Sequence, residues 1–279
     1  MLRGDAQVQA ALKSEIMVNV VRKLTRISGD IGTKRTASHD YWRGELHSGA
    51  LGERLKSSKA QTTAWVVNPP HFWKARDYIA AIHLRIGLLP TGGAPYVPAE
   101  KAMCRNPSCR VRESLYHVLQ RCPVTHWPRV QRHDAVNKAL RQSLTLAKQT
   151  VVDAPRLSTQ SDRHVPDLLV INKEKQQAWL IETTVVWERG HSLAEAYNIK
   201  FDKYNKPDLL EKIRSEYCVA NVSILPYVIG ARGTWPSSNE VLWTLFKLPP
   251  AAKEIATTSA LQYGASIHRN FMRSVWKRA

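Results

Sequence analysis

"RHVPDLLVINKEKQQAWLIETTVVWERG", Arg163 to Gly190, sets two β-rich apolar runs on either side of the polar turn "NKEKQQ". Branched and aromatic residues bounded by turn chemistry predict a hairpin. Each run carries an acid at its edge or interior: Asp167, directly after Pro166, and Glu182, fifteen residues on. An ionised carboxylate among apolar residues needs exposure, hydrogen bonds, a cation or a metal to offset its lost hydration. A hairpin of this length can set the two acids side by side, where they repel unless one is protonated or a divalent cation lies between them. Oxygen ligands suit magnesium, and a metal there would polarise a phosphate and generate a hydroxide nucleophile.

Downstream, "SLAEAYNIKFDKY" opens with Ser192 and Glu195 in capping-box spacing and predicts a helix; "VANVSILPYVIG" is a third strand. Strand, strand, helix, strand is an α/β (α+β) pattern with a mixed sheet. The tail "SALQYGASIHRNFMRSVWKR" reads as a helix with Arg269, Arg273 and Lys277 four apart.

Upstream the period is helical. Val8, Leu12, Ile16, Val20 and Leu24 predict a helix over 5–27 that the breaker-rich "ISGDIGTKRTASHD" ends. Between Pro69 and Pro90, Phe72, Ala75, Ile79, Ile82 and Ile86 predict a second helix, and "TGGAPYVPAE" a loop. "WPRVQRHDAVNKALRQSLTLA" places Val130, Ala135, Val136, Leu140 and Leu144 on one stripe of a basic helix. The expected divisions are a helical segment and linker over 1–65, a helical segment over 66–100, a cysteine-rich module over 101–127, a basic connecting helix over 128–155, and the mixed-sheet domain with its C-terminal helix over 156–279.

At 279 residues and 43% hydrophobic, the chain can build real cores. Forty-one Lys and Arg against 23 Asp and Glu give a formal charge of +18, which favours polyanions, nucleic acid first. Residues 101–150 concentrate the excess, with ten basic residues and only Glu113 and Asp134 as acids, so phosphate contacts are expected there, with Arg121, Arg129 and Arg132 as candidates. The alternative is a merely solvated basic surface. No signal peptide pattern and no bilayer-spanning apolar run is read, so a soluble, intracellular protein with no membrane partner is expected.

Three of the four cysteines fall within nineteen residues. Cys104-x4-Cys109-x7-His117-x4-Cys122 supplies three thiolates and an imidazole, the set that closes a tetrahedral structural zinc site. So short a segment has little core, and zinc would stabilise its fold. His126 is a nearby alternative to His117. Cys218, standing alone, is expected to be a small core residue.

In restriction-like nucleases the acid pair reads Pro-Asp…(Asp/Glu)-x-Lys, and the lysine's place here is Thr184. The following helix offers Lys200, Lys203 and Tyr204 on one turn, so that a lysine can point back at the strand. Together, "IHLRIGLLPT", the CCHC knuckle, "VPDLLV…WLIETTVV…NIKFDKYN" and "YVIGARGTW" resemble, in this order, the C-terminal part of the polyprotein of site-specific non-LTR retrotransposons of the R-two type, over roughly residues 68–240. The resemblance implies a restriction-like endonuclease that nicks ribosomal DNA so that the new 3′ end primes copying of the element's RNA, acting in the nucleus. It implies structural zinc on Cys104, Cys109, His117 and Cys122 and catalytic magnesium on Asp167 and Glu182, with Lys200 or Lys203 beside the scissile phosphate. No Tyr-x-Asp-Asp polymerase motif occurs in the sequence. The rival reading is a nucleic-acid-binding module whose nuclease domain is inactive.

Overall fold

The computed structural model describes residues 64–94, 97–159, 162–189 and 191–276. The helix expected over 5–27 and the linker after it lie outside the described residues, as does Lys277. The elements are α1 (Ala75–Arg85), α2 (His126–Leu146), β1 (Thr150–Asp153), β2 (Leu157–Ser158), β3 (Arg163–His164), β4 (Leu168–Asn172), β5 (Gln177–Val186), α3 (Ser192–Tyr204), α4 (Pro207–Tyr217), β6 (Asn221–Gly230), α5 (Asn239–Leu245) and α6 (Ala251–Trp276).

The main sheet has the order β1-β4-β5-β6. β1, β4 and β5 pair antiparallel, while β6 runs parallel to β5 and is reached through α3 and α4. β4 reads as an unbroken apolar run because both faces of the sheet are covered. Leu168 and Val170, with Trp179 and Ile181 of β5 and Tyr227 and Ile229 of β6, face one core with Val136, Leu140 and Leu144 of α2, Trp243 of α5 and Ala256 of α6. The residues between them, Leu169, Ile171, Ala178, Leu180 and Ile224, face a second core with Tyr204 of α3 and Leu209 and Ile213 of α4. The result is helices on both sides of a mixed sheet. Pro226 is tolerated because β6 is an edge strand of this sheet, where a missing N–H need break no ladder bond.

Residues 101–127 fold as a small module against the far end of α6. Met103 bridges Arg112, and a π-helical turn over His117–Arg121 sends the Cys122 amide to the His117 carbonyl at 2.7 Å. Phe271 and Met272 of α6 pack on Cys104, Val118 and Cys122. Farther up the same helix, Leu261 and Ile267 pack with Trp65, Trp73 and Leu84. α6 therefore backs the module, α1 and the sheet at once.

Several expectations are corrected. α1 is shorter than the segment between the prolines and buries Ala81, Leu84 and Arg85, whereas Phe72 is exposed. α2 ends at Leu146 and the segment read as connecting helix already supplies β1, so the sheet begins before residue 156. α4 is a further helix, with Pro207 at its first turn. Cys218 is exposed, in a left-handed cap at the end of α4, and is not a core residue.

Candidate functional site

Strand parity places the acids. β4 pairs Leu168 with Ile181, so the next step of the ladder sets Asp167 opposite Glu182. Glu182 shares its face with Ala178 and Leu180, and that face looks at α3. Lys200 Nζ lies 2.9 Å and Lys203 Nζ 3.4 Å from Glu182 Oε1. Glu182 Oε2 accepts the Asp167 amide at 3.3 Å. Asp167 Oδ2 accepts the Thr183 amide at 2.7 Å and lies 3.3 Å from His133 Nε2. The structure thus brings Asp167, Glu182, Lys200 and Lys203 together, with a lysine of α3 in place of one at Thr184.

Two partners of this cluster escape a sequence reading. His133 reaches it from α2: Nε2 lies 3.1 Å from the Thr183 carbonyl oxygen, and Nδ1 lies 3.1 Å from Asp134 Oδ1. Its hydrogen bond to Asp167 outweighs the cost of burial and raises the imidazole to about 9. Asn137, one turn on, bonds Thr183 Oγ1 at 2.8 Å. The only signal in the sequence is the polar pair His133 and Asn137, four apart beside the apolar stripe. Tyr204 is fully buried under the site; burial, with Glu182 beside it, pushes its phenol well above the usual range. Its hydroxyl accepts a hydrogen bond from Lys203 Nζ at 2.9 Å.

Oxygens of Asp167, Glu182 and the Thr183 carbonyl, where β4 begins beside the middle of β5, are the hard donors a divalent cation takes. Asp167's hydrogen bonds fall on Oδ2, and its side chain keeps 21% exposure, so solvent and an ion can reach it. The donor set fits magnesium. Lys200, with 25% of its side chain exposed, sits where an ammonium can reach a phosphate oxygen.

The second cluster is that of Cys104, Cys109, His117 and Cys122, whose ligand atoms all lie within 4.8 Å of one another. Cys109 Sγ and Cys122 Sγ are 3.8 Å apart, matching the ~3.8 Å between thiolates at tetrahedral corners about 2.3 Å from zinc. His117 Nε2 is buried and has no hydrogen-bond partner among the described residues. Burial pushes the Cys104 thiol up to about 12, the cost that a bound cation reverses. His117 is in this cluster and His126 is not. Glu113, fully buried, braces the module: it accepts the Gly92 amide at 2.7 Å and the Arg105 amide at 3.0 Å, and pairs with the Arg105 guanidinium at 2.9 Å. A Cβ on Gly92 would stand 2.9 Å from the Lys101 carbonyl, which is why glycine opens that loop.

The three arginines expected on nucleic acid part company. Arg121 is exposed and donates to the Tyr116 hydroxyl at 3.0 Å. It lines a cleft of about 770 Å³ between the module and α3, with Tyr116, Trp187, Arg189 and Ile199. Arg129 is turned onto the carbonyls of Gln120 and Thr125. Arg132 corrects the expectation outright: its side chain is 2% exposed and donates to the Leu119 carbonyl, so no phosphate can reach it. Burial lowers this guanidinium to about 10.

"GARGTW" and "IHLRIG" meet in space. Glu188, just beyond β5, accepts the Arg232 amide at 2.9 Å and pairs with the Arg232 side chain at 3.3 Å; both residues are buried. Arg85 of α1 donates to the Arg232 carbonyl at 2.9 Å. A Cβ on Gly230 would stand 2.0 Å from Glu188 Oε1, and Gly233 has φ +79, so both glycines are required by this turn.

Fold and site define an α/β protein with a mixed sheet, an acid–lysine cluster between the central strands β4 and β5 and the helix α3, and a Cys3His cluster able to hold zinc. No protein-family model matches the chain. Two curated relatives, each a retrovirus-related Pol polyprotein from type-1 retrotransposable element R2 of Popillia japonica, are 33% identical over 240 residues (85% of this chain, 54% of the relative) and 33% identical over 279 residues (99% and 57%). The Pol polyprotein from type-2 retrotransposable element R2DM of Drosophila melanogaster is 27% identical over 206 residues, 72% of this chain and 19% of the relative. The chain is homologous, along nearly all of its length, to R2 retrotransposon Pol polyproteins, and it spans little more than half the length of the first two.

Proposed function

We propose that this chain is the magnesium-dependent DNA endonuclease part of an R2-type Pol polyprotein. It nicks a DNA target, ribosomal DNA, in the nucleus, so that the new 3′ end primes copying of the element's RNA. Residues 101–127 act as a zinc knuckle that helps hold the nucleic acid, and the mixed sheet carries the chemistry. The observation that carries the reading is the convergence of Asp167, Glu182 and Lys200 where β4 begins beside β5.

Asp167 and Glu182 would hold magnesium, which when bound neutralises phosphate charge and lowers the pKa of a coordinated water. The protein's own groups do the rest. Lys200, held 2.9 Å from Glu182, is positioned to stabilise charge on the scissile phosphate, and Lys203 holds Glu182 and Tyr204 in register. Thr183 fixes Asp167 through its amide. The exposed Arg121 and Arg189 line the cleft that leads from the knuckle to α3 and offer phosphate contacts along it.

The test is nicking of supercoiled DNA in zinc-loaded protein, with and without magnesium, in wild type and Asp167→Ala. Nicking that requires both the metal and Asp167 is expected. Equal DNA binding with no nicking by wild type would overturn the reading in favour of a binding module.

A further inference from the structure

His133 and Asn137 both reach the acid cluster from α2, but Asn137 bonds the Thr183 hydroxyl, whereas the imidazole of His133 turns one nitrogen toward two oxygens at once. Its Nε2 is 3.1 Å from the Thr183 carbonyl oxygen and 3.3 Å from Asp167 Oδ2. Those are three donor atoms from three places in the chain: a helix, a strand backbone and a strand entry. In an octahedral shell with metal–ligand distances of about 2.1–2.3 Å, adjacent ligands stand roughly 3.0–3.3 Å apart. Both separations on His133 Nε2 fall in that interval.

The other ring nitrogen carries the second sign. Nδ1 lies 3.1 Å from Asp134 Oδ1. A ligating imidazole ordinarily gives its remote N–H to a carboxylate, which fixes the tautomer and turns the other lone pair on the ion. Asp134 is placed to do this, so that Nε2 is the nitrogen left to face Asp167 and Thr183. With no ion in place, Nε2 can instead donate a hydrogen to those oxygens; on ligation that proton leaves to solvent and the freed lone pair binds the metal.

We infer that His133 is a nitrogen ligand of the divalent-cation site, and that the site therefore favours a first-row transition ion such as Mn²⁺ more than two carboxylates and a carbonyl would. Imidazole adds affinity for such ions, whereas magnesium is held by oxygen and water. This inference rests on the reading of Asp167 and Glu182 as a cation site and adds to it a ligand and a metal preference.

The experiment is Mn²⁺ binding to the zinc-loaded 279-residue chain, followed by electron paramagnetic resonance, with spin-echo detection of nitrogen bound to the ion. Wild type is expected to show nitrogen modulation of a ligated imidazole. His133→Ala should lose that modulation and bind Mn²⁺ roughly tenfold more weakly. His133→Glu, which returns a ligand without nitrogen, should recover affinity but not the modulation, an outcome that a merely structural histidine does not produce. Asp167→Ala locates the ion by abolishing binding. Mn²⁺ binding that depends on Asp167 but shows no His133-dependent nitrogen overturns the inference and leaves the endonuclease reading standing. Absence of Mn²⁺ binding, or binding indifferent to Asp167, removes the cation site and overturns both.

Discussion

Glu182 and Glu188 lie six residues apart on one stretch of chain, both buried and both paired with cations, yet they belong to different kinds of site. Around Glu188 every partner is structural: the amides of Arg232 and Thr234 and a guanidinium that is itself 5% exposed. Around Glu182 the partners are two lysines whose side chains reach solvent and an opposing acid, Asp167, that does so too. A carboxylate satisfied entirely by fixed donors locks a fold. One that lies beside a second acid and two partly exposed ammoniums has partners that solvent can reach, and the proposed exchange with an ion and a phosphate rests on that difference.

The largest expected effect comes from making the same small change at each acid. Glu182→Gln should lower nicking by roughly a thousandfold or more, about 4 kcal/mol or above in the barrier, with little loss of melting temperature. Glu188→Gln should do the reverse, because it leaves Arg232 buried against an amide: about 3–5 kcal/mol of stability in denaturant unfolding, with residual activity tracking the folded fraction. If both variants lose stability alike, the contrast between the two acids is wrong. Lys200→Ala should reduce nicking by roughly a hundredfold while DNA affinity holds, and Lys203→Ala by less, since its ammonium is farther from Glu182 and is shared with Tyr204.

Smaller effects separate the arginines. Arg121→Ala should lessen the slope of log affinity against log salt by about one unit, whereas Arg132→Ala should leave the slope unchanged and lower stability, because one side chain is exposed and the other is inside the protein. The smallest effect concerns His133. Its folded pKa, about 9, is above the ~6.5 of an unfolded chain, so its stabilisation is complete below about pH 6.5 and fades as pH rises through 9. The melting difference between wild type and His133→Gln, measured without added divalent ion, should be widest near pH 6 and close by pH 10. A constant difference would mean that the imidazole's charge is not what Asp167 holds.

Much of this was legible in the residues. The turn "NKEKQQ" between two β-rich runs implies the hairpin, and the hairpin implies that Asp167 meets Glu182, because side chains alternate with a period of two. The departure at Thr184 directs attention to the next helix, and Lys200 and Lys203 are indeed on Glu182. Metal-ligand spacing marks Cys104, Cys109, His117 and Cys122 without any knowledge of the fold. These signals are local: they depend on residues within one turn, one hairpin or one short loop.

What the sequence alone determined is therefore the strand parity, the acid pair, the four residues of the Cys3His cluster and the basic surplus. Only tertiary structure decided that Arg132 is buried and Arg121 is not, that Phe72 is exposed while Arg85 is enclosed, that His133 crosses from α2 to Asp167, and that "IHLRIG" and "GARGTW" close on Glu188. The reason is physical. A residue's type and spacing report what it can bond with nearby, but its burial and its distant partners depend on which other elements pack over it. Charge summed along a chain carries no information about that packing.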